Sequence, residues 1–401
     1  MMACRAIKDE RARMATILTV PLMNCMAKIP LYTLLVSIYF ARYKGTVMFF
    51  IATITIIVAL AVAKALSLTV LRRKETAPFI LEMPPYQLPT VQGVLRRCLE
   101  RVWLFVRKVM TIIIAIAIIV YVLISFPGLS EERKVYYETQ AKEAIAAFFD
   151  RVKGTSYAGL LEGPRLMEFM EYWNAYKKAR MGAKDKEEKR AIDEEFRRKD
   201  PEFFRIVKPG RDKEARRVNR AFKKLIRARK KLLRRKREET ILSSYLGRFG
   251  RLLEPFTRFA GFNWRINIAL LSSFAAKESS VATLGAIYQS PGGGEAALGA
   301  RMKKEERGFT PLHALAVMIF MAMYPPCIPT LVMVKLESGS IGWMLFAALY
   351  PTLLGLMMAI LVFSGGSLLG LSGIQAMVGF YALAIAITAV MALIKRGPEY
   401  E

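Results

Sequence analysis

One histidine and four cysteines in 401 residues leave little material for the commoner metal sites. Cys4, Cys25, Cys98 and Cys327 stand far apart, with no CxxC and no Cys/His cluster. That spacing excludes a zinc ribbon and a disulfide framework, and reduced thiols are expected. No GxxxxGK[ST] occurs, so the phosphate cradle of a P-loop and its lysine are absent from this sequence. The first thirteen residues are basic, and the apolar segment after them is broken by proline. A cleavable signal peptide, with a clean apolar run ending at small residues, is therefore not expected. Charge is missing from whole stretches. Gly45 to Ala63 and Met110 to Ser130 carry none, and Ser338 to Ile394 has no ionisable acid or base apart from Tyr350 and Tyr381. Each run is long enough to cross a hydrocarbon core of about 30 Å as a helix.

What is present fits that reading. The chain is 54% hydrophobic with a mean hydropathy of +0.28, and its net charge of +28 is segregated rather than spread. The fold class expected is all-α: a polytopic helical membrane protein with proline-broken gate helices in two pseudo-symmetric halves, plus a helical extramembrane insertion. Seven apolar segments can be marked, at about Met14–Phe40, Val47–Leu71, Met110–Phe126, 266–289, Gly308–Val334, Ile341–Phe363 and Ile374–Ile394. Leu71-Arg-Arg-Lys74 is a basic flank that belongs in the cytoplasm by the positive-inside rule, and a cytoplasmic N-terminus accompanies it. Seven spans would leave Lys395 and Arg396 outside; a cytoplasmic tail requires one broken segment to enter and leave on the same side. Pro78 to Pro89 is too rich in proline for a helix and reads as an extended surface segment. Arg96, Arg97, Arg101, Arg107 and Lys108 then recur at helical spacing as an interfacial amphipathic helix.

Three domains are expected: 1–127 with the first gate, 128–243 as a basic insertion, and 244–401 with the second gate. Residues 128–243 hold 33 Lys and Arg against 20 Asp and Glu, a net of +13. Apolar repeats there predict a helical hairpin or small bundle. Its basic end, Lys223 to Arg237, lacks the aromatic interleaving of a nucleic-acid surface, so no nucleic-acid partner is expected. It reads as a solvated face that can touch anionic headgroups.

Two stretches stand out for chemistry. Tyr324-Pro-Pro-Cys327-Ile-Pro329 lies inside an apolar run, and Pro21-Leu-Met-Asn-Cys25-Met-Ala-Lys-Ile-Pro30 has a similar composition. Proline lacks an N–H and crowds the preceding turn, so neither stretch continues a helix. Broken backbone at membrane depth survives only where protein or a polar cavity covers it. A pair of interrupted apolar segments points to the substrate site of a transporter built from related halves.

At these residues the chain resembles FeoB, the prokaryotic ferrous iron transporter, over most of its membrane domain. Cys25 and its neighbours look like a first gate and Tyr324 to Thr330 like a second. Pro78 to Pro89 is similar to the family's proline-tyrosine segment. Ser244-Tyr-Leu-Gly-Arg, Gly261-Phe-Asn-Trp264 and Phe274-Ala-Ala-Lys-Glu278 resemble its second-half core. The resemblance implies the permease part of an Fe2+ uptake system in the cell inner membrane. It implies no enzyme on this chain and no bound cofactor, with Fe2+ as cargo and GTP on a separately encoded GTPase half. A small FeoA-like protein and self-association are further expected partners, alongside the lipid membrane. The family's earlier helices are expected to lie outside this sequence.

Ferrous iron accepts thiolate, imidazole and carboxylate ligands. Cys25 and Cys327 are the candidate ligands, with Glu278 supplying a hard oxygen and Asn24 and Met23 weaker contacts. Met23 and Met26 read more readily as ordinary apolar filler than as ligands. Lys28 and Lys277 read as a structural or gating salt bridge, His313 as a hydrogen-bonded core or membrane-edge histidine, and Cys4 and Cys98 as incidental. A gate-type transporter of a nucleoside or another divalent metal, or a non-transporting membrane scaffold, are the alternatives.

Overall fold

A computed structural model of the chain describes residues 4, 7, 9–72, 90–183, 185–275, 277, 279–288, 298–299, 301–303 and 308–393. The protein is an all-α polytopic membrane protein, and no strand occurs among the described residues. It divides into two compact units. One comprises Met1–Pro127 with Ile241–Glu401, the other Gly128–Thr240. Glu278, the Pro78–Pro89 segment, Gly292–Glu295, residues 304–307 and Lys395–Arg396 lie outside the described residues.

The membrane unit opens with α1 (Glu10–Thr19), capped by Asp9, whose carboxylate accepts from the Ala12 amide at 2.9 Å. A 3₁₀ turn, an extended stretch and a second 3₁₀ turn then lead into α2 (Ile29–Tyr39). Next come α3 (Lys44–Leu68) and α4 (Val91–Ser125). The second unit contributes α5 (Glu131–Val152), α6 (Arg165–Gly182), α7 (Lys186–Lys199), α8 (Pro201–Val207) and α9 (Lys213–Ser243). Back in the membrane unit, α10 (Tyr245–Thr257), α11 (Trp264–Ala275) and α12 (Ser279–Ile287) precede α13 (Pro311–Met323) and α14 (Ile328–Ser338). The last are α15 (Ile341–Ile360), which runs on through a π turn, and α16 (Gly373–Leu393).

Among the described residues, five helical stretches are long and apolar enough to cross a membrane: Glu10–Tyr39, Lys44–Leu68, Pro311–Ser338, Ile341–Leu368 and Gly373–Leu393. They match five of the seven expected segments. Of the other two, one runs on directly from the basic helix expected to feed into it, and the other is divided. The interfacial helix and the segment at Met110–Phe126 are one continuous helix, α4, because no proline or glycine interrupts the chain after Gly93. Its 35 residues run for about 52 Å, well beyond a hydrocarbon core. Residues 266–289 are instead two helices, α11 and α12, parted around Lys277.

Burial sorts the spans. Within Pro311–Ser338, 67% of the most apolar stretch is buried, against 22% for α16. Apart from Pro311 and the half-buried His313, every residue of α13 is buried, so this all-round apolar helix is the centre of the unit. α2, α3, α15 and α16 pack around it. Gly355 lets α15 approach closely, since a Cβ there would sit 3.1 Å from Met323 Cβ, beside the second break.

The second unit has its own core, where Phe148, Phe169, Trp173, Phe203 and Phe222 pack together; the Phe169 and Phe222 ring centres are 4.4 Å apart. Asn219, also buried, donates to the Ile206 carbonyl at 2.6 Å and so ties α9 to the end of α8. Asp193 accepts from Tyr176 at 2.6 Å and from Lys208 at 2.7 Å. Burial alone would push the Asp193 carboxyl up; the bonds from Lys208 and Tyr176 outweigh it and hold it below the usual carboxylate range.

Candidate functional site

The two breaks share one plan. Each has a helix ending at an extended segment, a cysteine at the N-cap of the next helical turn, and a proline in the helix beyond it. Cys25 is extended at φ −106°, ψ 159°, ahead of the turn Met26–Lys28 and α2, which carries Pro30. Cys327 is extended at φ −63°, ψ 157°, ahead of α14, which carries Pro329. Each cysteine thus stands at the N-cap of a helical turn.

Proline chemistry explains how the breaks are joined. The Ala322 carbonyl, in the last turn of α13, would ordinarily accept from the amide four residues on. That residue is Pro326, which has none. The amino group of Lys28 supplies the missing donor at 2.7 Å and also reaches the Met23 carbonyl at 3.4 Å. Lys28 is wholly buried and thus ties the first break to the second. Its amino group also contacts that of Lys277, and both lysines lie within electrostatic range of both Cys25 and Cys327. The break between α11 and α12 thereby joins the same gap. Among the described residues, Lys28 meets carbonyls and a second lysine.

Asn24 is held on both sides. Its amide donates to the Ile51 carbonyl at 3.1 Å and to Thr55 Oγ1 at 3.2 Å, and its oxygen accepts from Tyr32 at 3.2 Å. It brackets the first break to α2 and α3. Cys25 is exposed, as are Met23 and Met26, the last at 82%. Cys327 is half-buried, with Thr330 Oγ1 at 3.1 Å from its sulfur. Tyr324 donates to the Leu270 carbonyl at 2.6 Å, fixing the second break to α11. The structure thus brings Cys25 and Cys327 to the same lysine pair, while Glu278 lies outside the described residues. No group of three His, Cys, Asp or Glu side chains gathers among the described residues.

The other candidates sit apart from this gap. His313 Nδ1 accepts from the Thr310 amide at 3.1 Å as part of the cap of α13, and its ring packs against Phe309 and Phe363. Cys4 is buried in a side cluster with Met14 and Leu18, and Cys98 is exposed on α4. What sequence reading missed is the convergence of Lys28 and Lys277. Pro326, four residues beyond the Ala322 carbonyl, signals only that this carbonyl needs another donor, not which side chain supplies it.

Comparison with known proteins gives the same direction. The Gate family, described as "Nucleoside recognition", matches residues 106–341, and "Ferrous iron transport protein B C terminus" matches residues 48–101. The chain belongs to the Gate family and corresponds to the C-terminal membrane part of FeoB. A fusion protein of Porphyromonas gingivalis named "Fe(2+) transport protein A/Fe(2+) transporter FeoB" is 29% identical over 92% of this chain and 36% of its own length. The Fe(2+) transporter FeoB of Methanocaldococcus jannaschii is 28% identical over 92% of this chain and 39% of its own. The FeoB of Staphylococcus aureus is 24% identical over the same shares. The chain therefore spans less than half the length of these relatives. No solved structure matches it.

Proposed function

We propose that this chain is the membrane-embedded permease part of a ferrous iron uptake system, with Cys25 and Cys327 lining the gate through which Fe2+ moves. The observation that carries the reading is the pair of extended breaks, each presenting a thiol at a helix N-terminus and both tied to Lys28. A cation that sheds water needs replacement ligands strong enough to compensate and weak enough to release it. Two thiolates bound to the cation would meet that need, with the amino groups of Lys28 and Lys277 in electrostatic range of both sulfurs. Glu278, next to Lys277 in the chain, would add a hard oxygen, and Met23 and Asn24 weaker contacts at the open side. GTP hydrolysis would be supplied by a GTPase half, and a small FeoA-like protein is a fitting partner, since one relative's name joins the two. The protein would work in the cell membrane with its N-terminus in the cytoplasm, alone or self-associated.

The Gate family's description favours a second reading, transport of a nucleoside. A nucleoside needs hydrogen-bonding side chains at its site. Here Ser272, Ser273 and Ser280 are buried and spend their hydroxyls on the carbonyls of Ala269, Leu270 and Lys277 within their own segment. The metal reading is therefore the stronger.

The test is anaerobic Fe2+ binding to the full chain in detergent. Cys25→Ala and Cys327→Ala should each weaken binding by about tenfold or more, in line with loss of one strong ligand contact. A nucleoside should not compete. Unchanged Fe2+ binding in both variants would remove the thiols from the path.

A further inference from the structure

A stripe of like charges destabilises a helix unless something answers it. On α9, Lys213, Arg216, Arg217, Arg220 and Lys224 recur at spacings of three and four, which keeps them on one side of the helix. Ala215, Val218, Phe222 and Leu225, between them, enter the core of the second unit or are buried beside it. The last turn of α5 brings Arg151 opposite the stripe, and the six cations line a cavity of about 400 Å³.

Among the described residues, none of the six stands within ion-pair distance of a carboxylate. The acids at the start of α9 are engaged elsewhere. Asp212 accepts from Tyr157 at 2.7 Å, and Glu214 accepts from the amide and hydroxyl of Ser156 at 2.9 and 2.8 Å. Glu214 remains in electrostatic range of Arg217, and Arg216 donates to the Gly210 carbonyl at 3.1 Å. Neither contact cancels the positive charge of the cavity. A merely solvated basic face would not need a concavity, nor a cation from a second helix aimed into it.

We propose that this cavity binds phosphate groups, supplied either by a soluble polyphosphate or by the headgroups of anionic phospholipid. Guanidinium groups on two helices offer paired N–H donors to phosphate oxygens, and such forks bind better than isolated lysines. Its volume falls within the range of small-ligand sites. The site lies wholly within the second unit and does not depend on the iron reading.

The experiment uses the full chain and reads the thermal unfolding of its second unit. In neutral detergent at low salt, tripolyphosphate at a hundredfold excess over its Kd should raise the midpoint on the order of 10 °C. Sodium chloride at equal ionic strength should not, and high salt should abolish the shift. The double variant Arg220→Glu, Lys224→Glu should unfold later than wild type without ligand, because repulsion is relieved, and should lose the response. Arg198→Glu on α7, outside the cavity, should keep it. A parallel arm places the chain in phosphatidylcholine nanodiscs with or without phosphatidylglycerol. If tripolyphosphate loses its effect only with the anionic lipid, the headgroup is the source; if it acts in both, the ligand is soluble. No shift in wild type at low salt, or equal loss of response in Arg198→Glu, would overturn the proposal.

Discussion

The Ala322 carbonyl is an acceptor that loses its usual helical donor to Pro326, and Lys28 serves it instead. Two opposing effects act on removing that lysine. Orphaning a buried carbonyl costs about 1–3 kcal/mol, while separating two amino groups in a buried gap relieves repulsion. Lys28→Met incurs both effects, whereas Lys277→Met brings only the relief as far as this carbonyl is concerned. Lys28→Met should therefore unfold at lower temperature in detergent than Lys277→Met, and its Cys327 should react faster with a thiol reagent. The reverse order would show that Lys28 does not tie the breaks. In the second unit, the informative residue is Asp193. Its carboxyl titrates below its unfolded value near 3.9. A depressed carboxylate contributes stability that is complete above the unfolded value and lost as pH falls through the folded one. Asp193→Asn should thus cost about 1–3 kcal/mol at pH 7, and urea unfolding followed by Trp173 fluorescence should show the difference vanish in acid. Tyr176 works at the other end. Burial and its bond to Asp193 push it up to about 12, so its contribution persists through neutral pH and is lost as pH rises through that value.

At the scale of the element, proline decides where this chain can hold a site. Both breaks are legible in the sequence, because three prolines between Tyr324 and Pro329, and two flanking Cys25, leave no continuous helix to write. The break between α11 and α12 has no proline and is not legible in the same way. There the cost of burying Lys277 in an apolar segment is the only local hint, and the hydrogen bonds that show where Lys28 goes are tertiary. The continuity of α4, in which the basic helix feeds directly into the apolar span, has a related cause. A change from amphipathic to wholly apolar residues marks a change of surroundings, and nothing in it obliges the backbone to turn. Pro326→Ala tests the role of the break directly. It returns an N–H to the Ala322 carbonyl, so α13 should gain backbone pairing while Lys28 loses its acceptor. The variant should unfold no earlier than wild type, yet bind Fe2+ more weakly and label more slowly at Cys327. Wild-type labelling and binding would mean that the extended segment forms without Pro326.

Across the whole molecule, composition separates the two units, since a net of +13 over 128–243 cannot share an environment with uncharged spans. The boundary residue is another matter: α9 runs on to Ser243, past the point where the compact unit ends at Thr240, because helix continuity and packing are independent constraints. The membrane unit itself shows how the second unit is inserted. The Tyr245 amide donates to the Phe126 carbonyl at 2.9 Å, and both residues belong to the membrane unit. The chain therefore leaves and re-enters that unit at adjacent points, the geometry in which an inserted domain can be removed without stretching what remains. Joining Pro127 to Ile241 through a few glycines and serines should leave a folded membrane unit. If Cys25 and Cys327 make the cation path, that shortened chain should bind Fe2+ as the full chain does, while its response to tripolyphosphate disappears. A folded, shortened chain that no longer binds Fe2+ would move the metal chemistry into residues 128–240, where no sequence feature placed it. A chain that keeps both responses would instead remove the phosphate site from α5 and α9.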